Sequence, residues 1–498
     1  MTSIRKNIVA NYLGKGWSVV SVYVFVPFYL HFLGVEAYGL VGFYSVLHGV
    51  LALSDMGLTA ALSREMARLS AGEDGQTDMR RLVRTIELVY LGISAFVVLL
   101  TLLFAGPIAH SWLDSSSLPV ESVEKAIRLM GFAVALQLPS QMYLGGLLGL
   151  QKQVAANLIQ VFMGVVRSGG ATLVLWLISP TIEAFFIWQI LASVLLLLVS
   201  GCSVWASLPG ETASARPSLA SLKGVMGYSL GVAAISFNSI ILMQIDKIAI
   251  SKLLSLESLG YYTLASVLAQ APLLLSAPIA IAVFPQLTQL MAAGRKQELA
   301  EVYHRASQLV AAIVFPIGLT MVVFSHELLL LWTRSPEVAN ETATVASLLV
   351  IGSIVLSLQA IPFRLALAAA WTRLAIIIGV GSIIIIVPAL VILIRKFGML
   401  GAGMSWIALN SMAGLVLVVF VHRKLLVGQT IRVFARMAPY ALTGLAFAMV
   451  GRFYAPTGAD MWRTVITLVV VAGSSCLVSL LLYRRLSPRN RPERNSTG

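Results

Sequence analysis

Charge is what this sequence has least of. Charged residues fill 11% of its 498 positions and hydrophobic residues 58%, whereas soluble domains carry about a quarter charged residues. So few charges cannot coat a water-facing surface, and a soluble fold of this length is excluded. Cysteine is almost missing. Cys202 and Cys476 are the only two, which excludes a disulfide framework; both lie in apolar runs and are expected to be buried, inert thiols. Histidine is sparse too. His31, His48, His110, His304, His326 and His422 are scattered without metal-ligand spacing, and the chain has no Walker phosphate loop. No metal, no cofactor and no ATPase activity of its own is expected. The segment Gly145–Gly149 suits close helix packing rather than nucleotide binding.

What the sequence has instead is a succession of apolar runs long enough to cross a bilayer, which takes about 20 residues each. They fall near 8–33, 38–61, 83–106, 126–150, 154–178 and 182–206, then near 224–250, 259–284, 307–332, 343–369, 374–394, 401–422, 437–455 and 463–483. The expected fold is an all-α polytopic membrane protein with about 14 transmembrane helices. The first run is too long for a cleaved signal, is interrupted by Lys15 and lacks a small-residue cleavage site, so it reads as a retained helix.

The net charge of +14 suggests nucleic-acid binding until its cations are located. They lie mostly at run ends, the pattern of membrane topology, and no nucleic-acid partner is expected. With the N-terminus inside, about 23 cations flank the inner loops, including Arg64, Arg68, Arg80, Arg81 and Arg84, and about 8 flank the outer ones. Both termini are therefore expected in the cytoplasm. The surrounding membrane lipids are the other expected contact of this basic surface.

The chain divides into an N-terminal six-helix lobe over 1–206, a Ser/Ala/Pro-rich cytoplasmic linker over 207–223 and a second six-helix lobe over 224–422. An extra transmembrane helix pair over 423–483 and a basic cytoplasmic tail over 484–498 follow. The lobes echo each other. Glu36 and Gly39 join the first two runs, and Glu257 and Gly260 stand at the equivalent joint between the seventh and eighth. Six spans per lobe make the repeats parallel, with a central cavity expected between them.

Several segments resemble a known family. Gln244–Ile250 followed by Leu259–Ala265 is similar to a signature of bacterial polysaccharide flippases, and Phe284–Leu290 resembles that family's end of span eight. Gly34–Gly39 and Asp55–Leu58 resemble the matching first-half pattern. The resemblance is to the O-antigen and exopolysaccharide flippases of the multidrug/oligosaccharidyl-lipid/polysaccharide exporter superfamily, and it covers nearly the whole chain. It implies a V-shaped pair of lobes, alternating access, and an inner-membrane protein. The implied activity carries an oligosaccharide on undecaprenyl pyrophosphate from the cytoplasmic to the periplasmic leaflet, beside a polysaccharide polymerase and other assembly proteins.

The sequence's own functional signal is its intramembrane charge. A charge at a helix centre costs roughly 2.5–3.5 kcal/mol on insertion scales, so it needs a partner or a wet cavity. Arg167 lies near the middle of the fifth span, on one face with Asn157, Gln160 and Gly164. A polar stripe ending in a guanidinium suits a hydrated site for phosphate or pyrophosphate; the competing reading is an arginine tied to carbonyls or an acid. Lys15 and Asp55 sit at similar depth on adjacent helices, either as an ion pair or as substrate or cation-coupling groups. Asp246 and Lys247, near the outer end of span seven, read as a gate, a fold element or an ion site. Arg364 follows Pro362 near an inner helix end, where it binds substrate or snorkels to headgroups. Gln137, Ser140, Gln141, Asn238, Gln270 and Gln359 serve sugars or, more ordinarily, interhelical hydrogen bonds. Pro27, Pro139, Pro278, Pro316, Pro362 and Pro388 mark expected bends.

Other readings remain at this point: a multidrug exporter or a lipid II flippase of the same superfamily and, from another class, a membrane polysaccharide polymerase or ligase, or an assembly scaffold. The outside loop near 107–125 is too short for a catalytic domain, so an enzyme is not expected.

Overall fold

The computed structural model describes residues 2–70, 76–208, 216–454 and 461–486, and the side chains of residues 1–19 and of much of 219–239 lie outside that description. The expectations placed on the Lys15 side chain therefore fall outside the described residues. Everything described is helical, apart from loops and one isolated bridge between Asp114 and Ser255. In the first part of the chain the helices are α1 (Thr2–Leu51), α2 (Leu58–Leu69), α3 (Gln76–Pro107), α4 (Val120–Gly149), α5 (Gln153–Leu177), α6 (Ile182–Trp205), α7 (Leu219–Leu253) and α8 (Leu256–Ala269). They continue as α9 (Ala271–Ala292), α10 (Lys296–Val323), α11 (Ser325–Thr333), α12 (Pro336–Leu358), α13 (Ala360–Ala368) and α14 (Thr372–Phe397). The last three are α15 (Met399–Leu425), α16 (Thr430–Tyr454) and α17 (Met461–Leu486).

Eleven segments among the described residues are long and apolar enough to cross a membrane. The first, Val20–Asp55, lies in a helix that makes two crossings, because Gly34 breaks α1 (Thr2–Leu51) with φ 77° and ψ 173°, a backbone that only glycine adopts without strain. Counting α1 as two and adding the long helices α4 and α7 brings eleven to about the fourteen expected. The hydropathy of α4 is diluted by Gln137, Ser140 and Gln141 in its second half, and it is 30 residues long, or about 45 Å at 1.5 Å per residue.

Four spans differ from the expected continuous runs, among them 307–332, which is divided at Phe324 between α10 and α11. The run 259–284 is divided at Gln270 between α8 and α9, with Pro272 at the start of α9. Proline is favoured in a first turn, where its missing N–H is not needed; Pro278 stays inside α9. The run 343–369 is divided at Gln359 between α12 and α13, three residues ahead of Pro362. The run 38–61 ends early. A 3₁₀ turn Ala52–Asp55 closes α1, and Met56 and Gly57 take left-handed conformations before α2 starts at Leu58.

The chain packs as two compact units, Met1–Thr263 and Leu264–Gly498. In the first, α4 is central and touches α1, α2, α3, α5 and α6, while α7 lies against α1, α2 and α3. Met66, Leu82, Val83, Ile86, Tyr90, Met142 and Leu147 form its buried core. In the second, α10 packs against α9, α12, α16 and α17. Surfaces away from these contacts are apolar, as lipid-facing helices require. Cys202 corrects the expectation of a buried thiol: it is exposed on α6 and Cys476 is half-buried, because an apolar run in a membrane helix also covers the lipid-facing side.

Candidate functional site

Arg167 is the fifteenth residue of the 25-residue α5, far from either helix end. Its helix is fixed on both sides of it. The Tyr29 hydroxyl on α1 donates to the carbonyl of Ser168 at 2.9 Å, and the Trp188 indole N–H on α6 donates to the carbonyl of Val166 at 3.1 Å. Edge-on contacts of Tyr29 with Phe185 and of Tyr44 with Phe186 close the same layer.

A cavity of about 300 Å³ opens beside Arg167, inside the first unit. Its polar lining is Arg167, Gln137, Gln141, Gln160, Ser21, Ser168 and Ser193, and Val22, Leu144, Met163 and Leu196 supply apolar wall. Among the described residues the lining contains one cation and no carboxylate. Among the described residues Arg167 forms no ion pair, and its side chain, like those of Gln141 and Gln160, is exposed to the opening. Gln137 is committed to packing: its Nε2 donates to the Tyr44 hydroxyl at 2.5 Å and to Ser193 Oγ at 3.2 Å. Ser140 Oγ donates to the carbonyl of Leu136. The cavity thus offers a guanidinium with free amides beside it, a set able to take an anion attached to a neutral, hydroxylated group.

Of the stripe expected on α5, Gln160, Gly164 and Arg167 share this cavity. Asn157 does not line it; its amide N–H₂ donates to the carbonyl of Gln153 at 2.8 Å.

Asp55 sits elsewhere in the same unit, on a cavity of about 400 Å³ that also exposes Thr59, Ser63 and Ile240. Its Oδ1 accepts from the backbone N–H of Thr59 at 3.2 Å, from Thr59 Oγ1 at 2.5 Å and from the Tyr90 hydroxyl. Asp55 therefore caps the first turn of α2 and ties it to α3. On α7, Asp246 accepts from the Tyr262 hydroxyl of α8 at 2.7 Å and from the backbone N–H of Lys247 at 2.8 Å; Lys247 itself is half-buried. Arg364 belongs to the second unit, where its guanidinium carbon lies 5.7 Å from the Phe284 ring centroid. Gln359 donates to the carbonyl of Asn410 at 2.8 Å, an interhelical bond, and Asn238 is half-buried. The structure thus brings Arg167 and Gln160 together, and holds Asp55, Asp246 and Arg364 in separate surroundings.

Two features escaped the sequence reading. Tyr29 and Trp188 hold Arg167's helix from neighbouring elements, and no local pattern announces a contact that distant. Glu36, on the other hand, carried a signal in its repeat position. Its carboxylate accepts from the backbone N–H groups of Ser116 at 2.6 Å and Ser117 at 2.9 Å.

The profile of a family described as polysaccharide biosynthesis protein matches residues 31–335. The chain belongs to that family. With it the expected place among the polysaccharide flippases of the multidrug/oligosaccharidyl-lipid/polysaccharide exporter superfamily holds. A Shigella flexneri protein provisionally named an O-antigen transporter is 21% identical over 412 residues, covering 81% of this chain and 94% of its own length. Among solved structures, the lipid II flippase MurJ in an inward closed conformation has a TM-score of 0.71 at 14% identity, covering 96% of this chain and 99% of its own. An inward-facing multidrug resistance transporter of the MATE family scores 0.68 at 15% identity, covering 83% and 94%. Identities this low speak to the fold, which is the all-helical membrane architecture expected. Family and fold together place the chain among multi-pass membrane proteins of polysaccharide biosynthesis, and the relatives named here are transporters and flippases rather than enzymes.

Proposed function

We propose that this protein flips an undecaprenyl-pyrophosphate-linked oligosaccharide from the cytoplasmic to the periplasmic leaflet of a bacterial inner membrane by alternating access. The observation that carries this reading is the Arg167 cavity: among the described residues it holds one guanidinium without an ion pair, free amides at Gln141 and Gln160, and no carboxylate in the lining. A guanidinium takes a pyrophosphate oxygen pair in a fork, and a neutral polar wall suits the first sugars. A cavity built for cationic drugs needs acidic groups, so the lining speaks against the multidrug reading.

In this proposal Arg167 and Gln160 bind substrate, Asn157 steadies α5, and Lys15 and Arg364 meet the pyrophosphate along its path. Asp55, Asp246 and Lys247 serve gating or ion coupling. The two lobes 1–206 and 224–422 move about the linker 207–223, the pair 423–483 flanks them, and both termini face the cytoplasm. The polysaccharide polymerase would receive the product. Lipid II shares the pyrophosphate, so its transport is the nearest competing activity.

Leaflet-resolved transport by purified protein in vesicles tests this. Wild type should move undecaprenyl-pyrophosphate-linked oligosaccharide, and Arg167→Ala, inserted at normal levels, should lose at least roughly tenfold in rate, consistent with about 1.5–3 kcal/mol for a hydrogen bond to a charged group. Equal rates would remove Arg167 from the site, and transport of lipid II alone would redirect the substrate assignment.

A further inference from the structure

Residues 342–459 contain no aspartate or glutamate, yet they carry nine lysines and arginines. Five of these, Arg373, Arg423, Lys424, Arg432 and Arg436, belong to three helix ends in the second unit: the first turn of α14, the last turn of α15 and the first turns of α16. The ends are joined. Lys424 Nζ lies 4.3 Å from the ring centroid of Trp371, the residue that precedes α14. His422 Nδ1 meets Thr430 Oγ1 at 3.1 Å, fastening the end of α15 to the start of α16, and Arg432 donates to Gln429 Oε1 at 3.2 Å.

Among the described residues none of the five cations has a carboxylate partner. The acids on the first turns of neighbouring α10 are engaged with that helix's own end, Glu298 with Arg295 at 2.5 Å and Glu301 with Arg305 at 3.7 Å. Between the cations stand some of the most exposed apolar side chains in the chain, Val427 at 78% and Ile431 at 83%.

We propose that this surface binds the headgroup phosphate of an anionic phospholipid, with Val427 and Ile431 entering the acyl boundary beneath it. Like charges gathered without acids repel one another unless an anion is supplied, and a membrane surface supplies it at the depth of helix ends. Trp371 prefers that same interfacial layer and holds the Lys424 ammonium over its ring face. A positive-inside signal needs only cations on one side; it does not need a ring that fixes one of them or apolar groups set among them. The site belongs to the second unit and shares no residue with the Arg167 cavity, so it stands whether or not the flippase reading does.

Native mass spectrometry of the full chain, released from vesicles of phosphatidylcholine and phosphatidylglycerol, tests it. Wild type should retain phosphatidylglycerol over phosphatidylcholine. Lys424→Gln with Arg432→Gln should retain it roughly thirtyfold less, since each cation contributes about 1 kcal/mol at an anionic surface. Arg395→Gln with Lys396→Gln, roughly 35 Å away at the other end of α14, should behave as wild type. If the first pair does not yield monodisperse protein, Arg423→Gln with Arg436→Gln replaces it. Equal retention of the two lipids, or equal loss in the inner and outer variants, would overturn the proposal. Displacement of phosphatidylglycerol by inorganic phosphate at matched ionic strength would also overturn it, marking a site for a soluble anion.

Discussion

Asp55 and Arg167 are both charges in apolar runs, yet they are held in opposite ways. Three donors converge on Asp55 from α2 and α3, while Arg167 is left open to a cavity and only its backbone is pinned. The difference gives Asp55 a test that separates capping from charge. Asparagine caps a helix about as well as aspartate, and alanine costs about 1 kcal/mol. Asp55→Ala should therefore lower thermal stability in detergent while Asp55→Asn leaves it nearly unchanged. If Asp55 also couples an ion, Asp55→Asn should stop transport despite its normal stability; intact transport would leave it a cap alone. The α5 stripe could be read from the sequence, because Gln160, Gly164 and Arg167 recur at helical spacing. Asn157 has the same spacing but turns its amide back onto its own helix. The capping role was harder to see. Asp55 lies inside an unbroken apolar run, and the only local sign was Gly57 and Thr59 just beyond it.

At the scale of elements, hydropathy located the helices well but not their breaks. Apolar length follows directly from the bilayer, whereas a break depends on which proline opens a turn and which stays within a helix. Pro272 opens α9 while Pro278, Pro316 and Pro388 remain inside helices. The repeat was the more informative signal. A Cβ on Gly39 would strike the carbonyl of Leu256, and a Cβ on Gly260 would strike the carbonyl of Val35. The repeated glycines thus face each other's chain segments within the first unit, and this reciprocity explains why both copies need glycine there. Gly39→Val or Gly260→Val forces backbone apart and should cost about 1–3 kcal/mol, read as a lowered melting temperature of the purified protein. Gly381→Ala on α14 meets no atom within 4 Å and should leave melting unchanged or raise it, as alanine favours helix over glycine. Equal melting of all three variants would mean that the seam yields without strain.

At the scale of the whole molecule the question is what drives transport in one direction. The substrate proposed above carries about two negative charges on its pyrophosphate, and each charge crossing the full field gains roughly 2.3 kcal/mol per 100 mV. A negative interior would then favour export by about 4.6 kcal/mol at 100 mV, some three powers of ten in the distribution of the lipid between leaflets, without any second ion. Arg167 fits that scheme. Its fixed cation shields the pyrophosphate inside the membrane, yet it returns with the protein in each cycle, so the substrate's charge is the net charge moved. An exchanged cation at Asp55 or Asp246 would instead change the charge carried per cycle. Vesicles with a potassium diffusion potential and clamped proton and sodium gradients separate the two. Export that rises steeply with the potential, and is unaffected when a pH or sodium gradient is added at zero potential, is the expected outcome. Export that ignores the potential but follows either gradient would assign the driving force to a coupled ion, and Asp55→Asn and Asp246→Asn would then show which carboxylate carries it.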